Sequence, residues 1–193
     1  GTVTFDYTIK DGDGDTSVAT VTISLLADSV PLVGTAENLA TDDDATIGLA
    51  SSTDTGSVTV DYGTDATGAT FALTDVTSGD LVTLAGNPVA FTIEALTGDL
   101  VGKDGATEVI RIAVTATTPG VGGSVSYSYT VTQSEPVKHA NALTEDEDVI
   151  TVGFSATDGD GADAASGSFT VTVDDAVPEA KDDAFTQTAE NAQ

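Results

Sequence analysis

The sequence has no cysteine and no tryptophan, one histidine, five prolines, and five lysines and arginines against 32 aspartates and glutamates. Each scarcity removes a class of function. Without cysteine there is neither a disulfide framework nor a thiolate metal site. A formal net charge of −27 repels nucleic acid and anionic lipid, so neither is expected as a partner. No apolar run reaches the length of a membrane-spanning helix, and no signal peptide opens the chain. With no tryptophan and four tyrosines, a sugar-stacking platform is not expected. A compact fold at this charge repels itself. Disorder, high salt or bound cations relieve that repulsion. Disorder is disfavoured, because 39% of the residues are hydrophobic and many alternate with polar ones. The acidic composition, rich in Thr, Ser, Gly, Ala and Val, suits a secreted bacterial protein.

What is present is alternation. In V-T-F-D-Y-T-I, residues 3–9, Val3, Phe5, Tyr7 and Ile9 share one face of a half-buried strand. Residues 18–26 alternate again through Val21, Ile23 and Leu25. The stretch D-G-D-G-D at 11–15 lies between them and reads as the loop of a hairpin. Further strands are expected over 57–62, 69–74, 81–85, 88–95, 108–117 and 124–132, with Gly, Asp and Asn between them. No segment has helical periodicity over three turns. Short, Thr- and Val-rich strands about ten residues apart predict an all-β, immunoglobulin-like antiparallel sandwich.

The hairpin pattern returns. Residues 150–157, I-T-V-G-F-S-A-T, are followed by D-G-D-G-A-D at 158–163 and by S-F-T-V-T-V at 168–173. Asp158 follows Asp11 by 147 residues, and Pro178 follows Pro31 by the same interval. The second loop is one residue longer, so Asp163 corresponds to Asp15, and Val173 to Leu25. Asp28 and Asp175 each stand three residues before a proline. This is an internal repeat. It predicts the end of one copy over 1–31, a full copy over 32–178 and the start of a third over 179–193. T-A-E-N at 188–191 echoes T-A-E-N at 35–38. The chain begins in mid-pattern, as a piece of a longer protein would. An alternative partition gives residues 34–133 a sandwich of their own and places the two hairpins in separate modules.

The string F-D-Y-T-I-K-D-G-D-G-D-T-S-V-A-T-V-T-I, with D-S-V-P after it, resembles the closing segment of the tandem extender repeats of large RTX adhesins. Gram-negative bacteria secrete these through type I systems. G-F-S-A-T-D-G-D-G-A-D and F-T-V-T-V-D-D-A-V-P carry the same signature. The specific motifs cover roughly 60 residues, and the period covers the rest. The resemblance implies a rod of β-sandwiches, stiffened by Ca²⁺ at loops and linkers, that holds a binding tip away from the cell surface. It implies metal ligation by Asp11, Asp13, Asp15, Asp158, Asp160 and Asp163, and by the pre-proline Asp28, Asp174 and Asp175. Ala162 departs from the D-x-D-x-D order of the first loop.

The chemistry of the residues points the same way. Ca²⁺ takes six to eight oxygens, and aspartates at i, i+2 and i+4 of a tight loop can converge on one ion while glycines let the backbone turn. Mg²⁺ retains its waters, and zinc lacks its usual ligands. The loop is not an EF-hand, because Thr16 and Thr22 stand where that pattern needs Gly and Glu. A plain solvated turn is the competing reading, since Asp and Gly favour turns. Asp182 and Asp183, following Pro178, could clamp an inter-domain ion with Asp174 and Asp175. Asp42–Asp44 and Glu145–Asp148 are further acidic runs. His139, beside Lys138 in a polar loop, reads as having no catalytic role, and no poised acid–base set is evident. No enzyme activity and no small-molecule substrate are expected. The expected function is a calcium-rigidified extender of a secreted, cell-surface adhesin, whose partners are the neighbouring repeats. The alternative is a Ca²⁺-dependent sugar- or protein-binding module.

Overall fold

The computed structural model describes residues 1–25, 27–43, 52–140 and 146–175. Asp44, Glu145, Pro178, Asp182, Asp183 and the 179–193 segment lie outside the described residues. The first alternating stretches form a two-stranded hairpin of β1 (Thr2–Lys10) and β2 (Thr16–Ser24). The rest of the described chain builds two facing sheets. One contains β3 (Leu32–Val33), β5 (Ser52–Asp61), β10 (Ser124–Gln133), β9 (Thr107–Pro119), β8 (Leu100–Asp104) and β7 (Ala90–Ile93), in that spatial order. The other is β4 (Leu39–Asp42), β12 (Ala164–Asp174), β11 (Glu147–Thr157) and β6 (Thr70–Ser78). All pairings are antiparallel except β4 on β12. The all-β sandwich expected from the alternation is the observed architecture.

The core lies between the sheets. Val58, Val60, Ile112, Tyr127, Tyr129 and Val131 of the larger sheet face Ile150, Val152, Phe154, Phe169, Val171 and Val173 of the smaller one, all buried. The rings run in a chain: Phe71 stacks on Tyr127 at 4.5 Å, Phe154 lies 4.9 Å from Phe71, and Tyr129 stacks on Phe169 at 4.2 Å. The Tyr62 and Tyr127 hydroxyls hydrogen-bond each other at 3.0 Å, so neither buried phenol is unsatisfied. Phe154 is in register with Gly167, and its ring occupies the space a side chain there would need.

One expected strand is absent, and one expected strand carries a bulge. Residues 81–85 form only isolated bridges, Val82 to Pro88 and Thr83 to Val137, because the chain turns back at Leu84–Gly86. Val109 and Ile110 are both buried, against strict alternation. The β8–β9 register slips there: Gly102 faces Ile110, but Lys103 faces Glu108. Val109 is the extra residue of a bulge, which lets two successive side chains point inward. Residues 34–133 do not form a closed sandwich alone, since β11 and β12 are the two inner strands of the smaller sheet.

The repeat is visible in the pairing. In the first hairpin Val3 faces Ile23, Phe5 faces Val21 and Tyr7 faces Ala19. In the second, Ile150 faces Val171, Val152 faces Phe169 and Phe154 faces Gly167. These are the corresponding positions of the two copies. One pair keeps a Phe and a Val but exchanges their strands, which conserves volume. Burial differs completely. Ile150, Val152 and Phe154 are at most 1% exposed, whereas Val3, Phe5 and Tyr7 are 48–51% exposed.

Candidate metal centre

Both Asp-Gly loops close their hairpins in the same way. In the first, the Asp11 carboxylate accepts the backbone N–H groups of Gly14 (3.0 Å) and Asp15 (2.8 Å), while Asp11 N–H donates to the Asp15 carbonyl. Gly14 sits at φ 110°, a conformation only glycine adopts freely. Asp11, Asp13 and Asp15 each place a carboxylate oxygen within 4.8 Å of the others, and all three residues are exposed. Asp11 is held below the ordinary carboxylate range, chiefly by the Asp13 carboxyl and then by the backbone N–H groups of Asp15, Gly14 and Asp13.

In the second loop Asp158 is 2% exposed. One of its oxygens accepts Gly161 N–H at 2.9 Å and the other Asp163 N–H at 3.0 Å. The additional residue is absorbed by Gly161 at φ 78° and by a turn in which Ala162 N–H donates to Asp160. Gly159 N–H donates to the Asp65 carbonyl at 2.7 Å, and any side chain at Gly159 would strike the Thr67 and Asp65 carbonyls. The loop is thereby fixed to the turn Gly63–Asp65, which precedes β6.

The same turn captures the linker that follows β2. Ser29 N–H donates to Asp65 Oδ2 at 2.9 Å, and Thr64 donates to Ser29 Oγ and to the Ala27 carbonyl. That clasp delivers Asp28 to the second loop. Asp28, Asp158 and Asp160 each bring an oxygen within 4.8 Å of the other two. The third member of this cluster is Asp28, from the linker, rather than Asp163. Asp163 and Asp65 remain near enough to act electrostatically. Asp160 first, then burial, then Asp163 and Asp65 push the Asp28 carboxyl above its ordinary value. Oxygens on opposite sides of a Ca²⁺ ion are about 4.6–5.2 Å apart. Both clusters therefore fit a hard divalent cation in donor type and spacing. Asp65 escaped the sequence reading because it stands in no acidic run; only the fold brings it to the loop.

Asp174 and Asp175 lie elsewhere. Asp174 closes β12, opposite Glu147 of β11 and Asp42 of β4. Asp175 N–H donates to the Asp146 carbonyl. Strands β11 and β12 separate this end from the Asp158 loop by about 30 Å. This end holds the histidine that the sequence reading left in a polar loop. The His139 side chain is 2% exposed, with Asp43 3.5 Å from Nε2 and Asp148 and Asp146 3.7 and 3.8 Å from Nδ1. Asp43 also accepts from Gln133 Nε2 and from Val137 N–H, joining the end of β4 to the chain leaving β10. Burial raises the Asp43 and Asp148 carboxyls. His139 is thus part of a buried polar junction rather than a solvated loop. Its alternation-free surroundings gave no sign of that.

No protein-family model matches the chain, and no curated protein matches its sequence.

Proposed function

We propose that the chain is a structural extender module of a secreted, cell-surface adhesin of the tandem-repeat kind, stiffened by Ca²⁺ at its acidic loops and linkers. The observation that carries this reading is the position of Asp28. A carboxylate from the linker after one hairpin lies against Asp158 and Asp160 of the next. Without a cation that approach is repulsive, as the raised Asp28 carboxyl records. With a cation it becomes a clamp between successive units. The shared register of β1–β2 and β11–β12 supports residues 1–31 as the closing hairpin of a preceding repeat, with 32–178 as the next. Neighbouring repeats are then the module's partners, and its work is mechanical rather than catalytic. Calcium is abundant outside cells and scarce in the cytoplasm, so the joint sets after export. By equivalence Asp175, three residues before Pro178 as Asp28 is before Pro31, would meet the acidic loop of a following unit; Asp174, Asp182 and Asp183 are the further carboxylates proposed for that joint.

Calcium calorimetry on the chain and on Asp28→Asn tests the reading. The chain should bind Ca²⁺ at two classes of site, and Asp28→Asn should weaken one class about tenfold or more. Equal isotherms for the two proteins would refute the clamp.

A further inference from the structure

The linker between the first hairpin and the sandwich is held by more than the carboxylates around Asp158. Ser29 N–H donates to Asp65 Oδ2 at 2.9 Å and is shared with Asp28 Oδ1 at 3.1 Å. Thr64 N–H donates to Ser29 Oγ at 3.2 Å, and the Thr64 hydroxyl donates to the Ala27 carbonyl at 3.2 Å. The Asp65 carbonyl accepts Gly159 N–H at 2.7 Å. One residue thus grips the linker with its side chain and the Asp158 loop with its backbone. We propose that Asp65 is a positioning residue that fixes the direction in which the preceding unit leaves the sandwich, and that it does so without an ion. The proposal rests on reading residues 1–31 as the end of a preceding unit, but not on calcium.

Three observations support that role. First, the turn that receives the linker is firmly founded. Tyr62, 0% exposed, shares hydrogen bonds with the Tyr127 hydroxyl and the Thr70 carbonyl. Its N–H donates to the Gly123 carbonyl at 3.1 Å, and Asp65 N–H closes the turn on the Tyr62 carbonyl at 3.0 Å. The Asp65 carboxylate is therefore aimed before the linker arrives, which lowers the entropic cost of docking. Gly63, at φ 56°, lies so close to Ser29 that any side chain there would strike it. Second, the bond is of the strong kind. An N–H donated to a carboxylate is worth more than one donated to a neutral acceptor, and an attraction is needed here, because Asp160, Asp163 and Asp65 all repel the Asp28 carboxylate. Third, the contact suits more than one linker. The residue equivalent to Ser29 ahead of Pro178 is Ala176. Alanine keeps the backbone N–H that a carboxylate at position 65 accepts and loses only the hydroxyl that Thr64 uses. The side chain at 65, rather than the one at 29, carries the general part of the clasp.

Residual dipolar couplings of the chain in EDTA test it, with the amides of β1–β2 and those of the sandwich fitted separately. In the unaltered chain one alignment should fit both. Asp65→Asn, which keeps an oxygen acceptor, and Ser29→Ala, which keeps the N–H donor, should behave alike. Asp65→Ala should leave the sandwich couplings in place and average those of the hairpin toward zero. Amide protection of β11 and β12, measured on each variant, reports that the sandwich is intact. Should Asp65→Ala disorder the turn itself, Ser29→Pro takes its place with the same expectation, since it removes the donor from the linker and leaves the sandwich sequence unaltered. A hairpin already averaged in the unaltered chain overturns the proposal. So does a hairpin that stays aligned when the Asp65 acceptor or the Ser29 donor is removed, or equal loss of alignment in Asp65→Asn or Ser29→Ala. No calcium is present in these measurements, so their outcome and that of the calcium calorimetry are independent.

Discussion

Tyr7 and Phe154 occupy the same place in two copies of one hairpin, and the structure gives them opposite energetic weight. Phe154 is 1% exposed, 4.9 Å from the Phe71 ring and seated over Gly167. Truncating it to alanine removes a buried aromatic and leaves a void that Gly167 cannot fill. Buried Phe→Ala changes cost about 3–5 kcal/mol, and the absence of any side chain at 167 puts this one toward the upper part of that range. Tyr7 is 48% exposed and faces Ala19. Tyr7→Ala forfeits only cross-strand contact, about 0.2–1 kcal/mol, and that within the hairpin rather than the sandwich. Urea unfolding followed by far-UV circular dichroism compares the two. The main transition should fall sharply for Phe154→Ala and stay within about 0.5 kcal/mol for Tyr7→Ala. Equal losses would mean that the first hairpin is integrated into the sandwich, and the reasoning from the paired registers would fail.

Two electrostatic predictions accompany this one. In EDTA, Asp28 should titrate above the ordinary carboxylate range in carbonyl-detected NMR, because Asp160 opposes its ionisation; saturating Ca²⁺ should bring it below that range. The linkage has a sign: a carboxyl raised in the folded state makes its contribution to stability fall as pH rises from the ordinary value through the raised one, so without calcium this joint loosens toward neutral pH. An Asp28 titration unmoved by calcium would remove it from the site. Glu94 and Glu108 are held below their ordinary range chiefly by hydrogen bonds from Arg111. Arg111→Gln should raise both and lower stability slightly at neutral pH, because solvent screens these half-exposed pairs. That stabilisation is present above the ordinary carboxylate value and lost as pH falls through the depressed ones, so the variant and the parent should converge in acid. A loss that persists at low pH would point to packing instead.

Much of this architecture was legible because alternation is a local code. The runs 3–9 and 150–157 name their own inward faces, and the equal spacing of the Asp-Gly loops and prolines exposed the duplication before any pairing was known. Strand β4 and strand β8 escaped, since L-A-T-D and L-V-G-K-D are too short and too mixed to carry a period. The bulge at Val109 could not be read either, because it arises from how β8 meets β9 rather than from β9 itself. The same distinction holds at the site. Which aspartates crowd within one loop is a matter of neighbours along the chain. That Asp28 meets Asp158 depends on the turn Gly63–Asp65 catching the linker, Asp65 accepting the Ser29 N–H. The burial of His139 among Asp43, Asp146 and Asp148 is likewise a property of sheet ends that only topology brings together.

The proposed function makes the acidic clusters structural calcium sites. Thermal unfolding of the chain after EDTA treatment, titrated separately with Ca²⁺ and Mg²⁺, tests it most directly. A ligand that binds only the folded state raises stability by about 2.7 kcal/mol at a hundredfold excess over its Kd. For a domain of this size that is a rise of roughly 5–10 °C, expected with calcium and largely missing with magnesium. A melting temperature that does not move with calcium would contradict the account: the Asp-Gly loops would be turns alone, and the clamp between units would have no ion to close it.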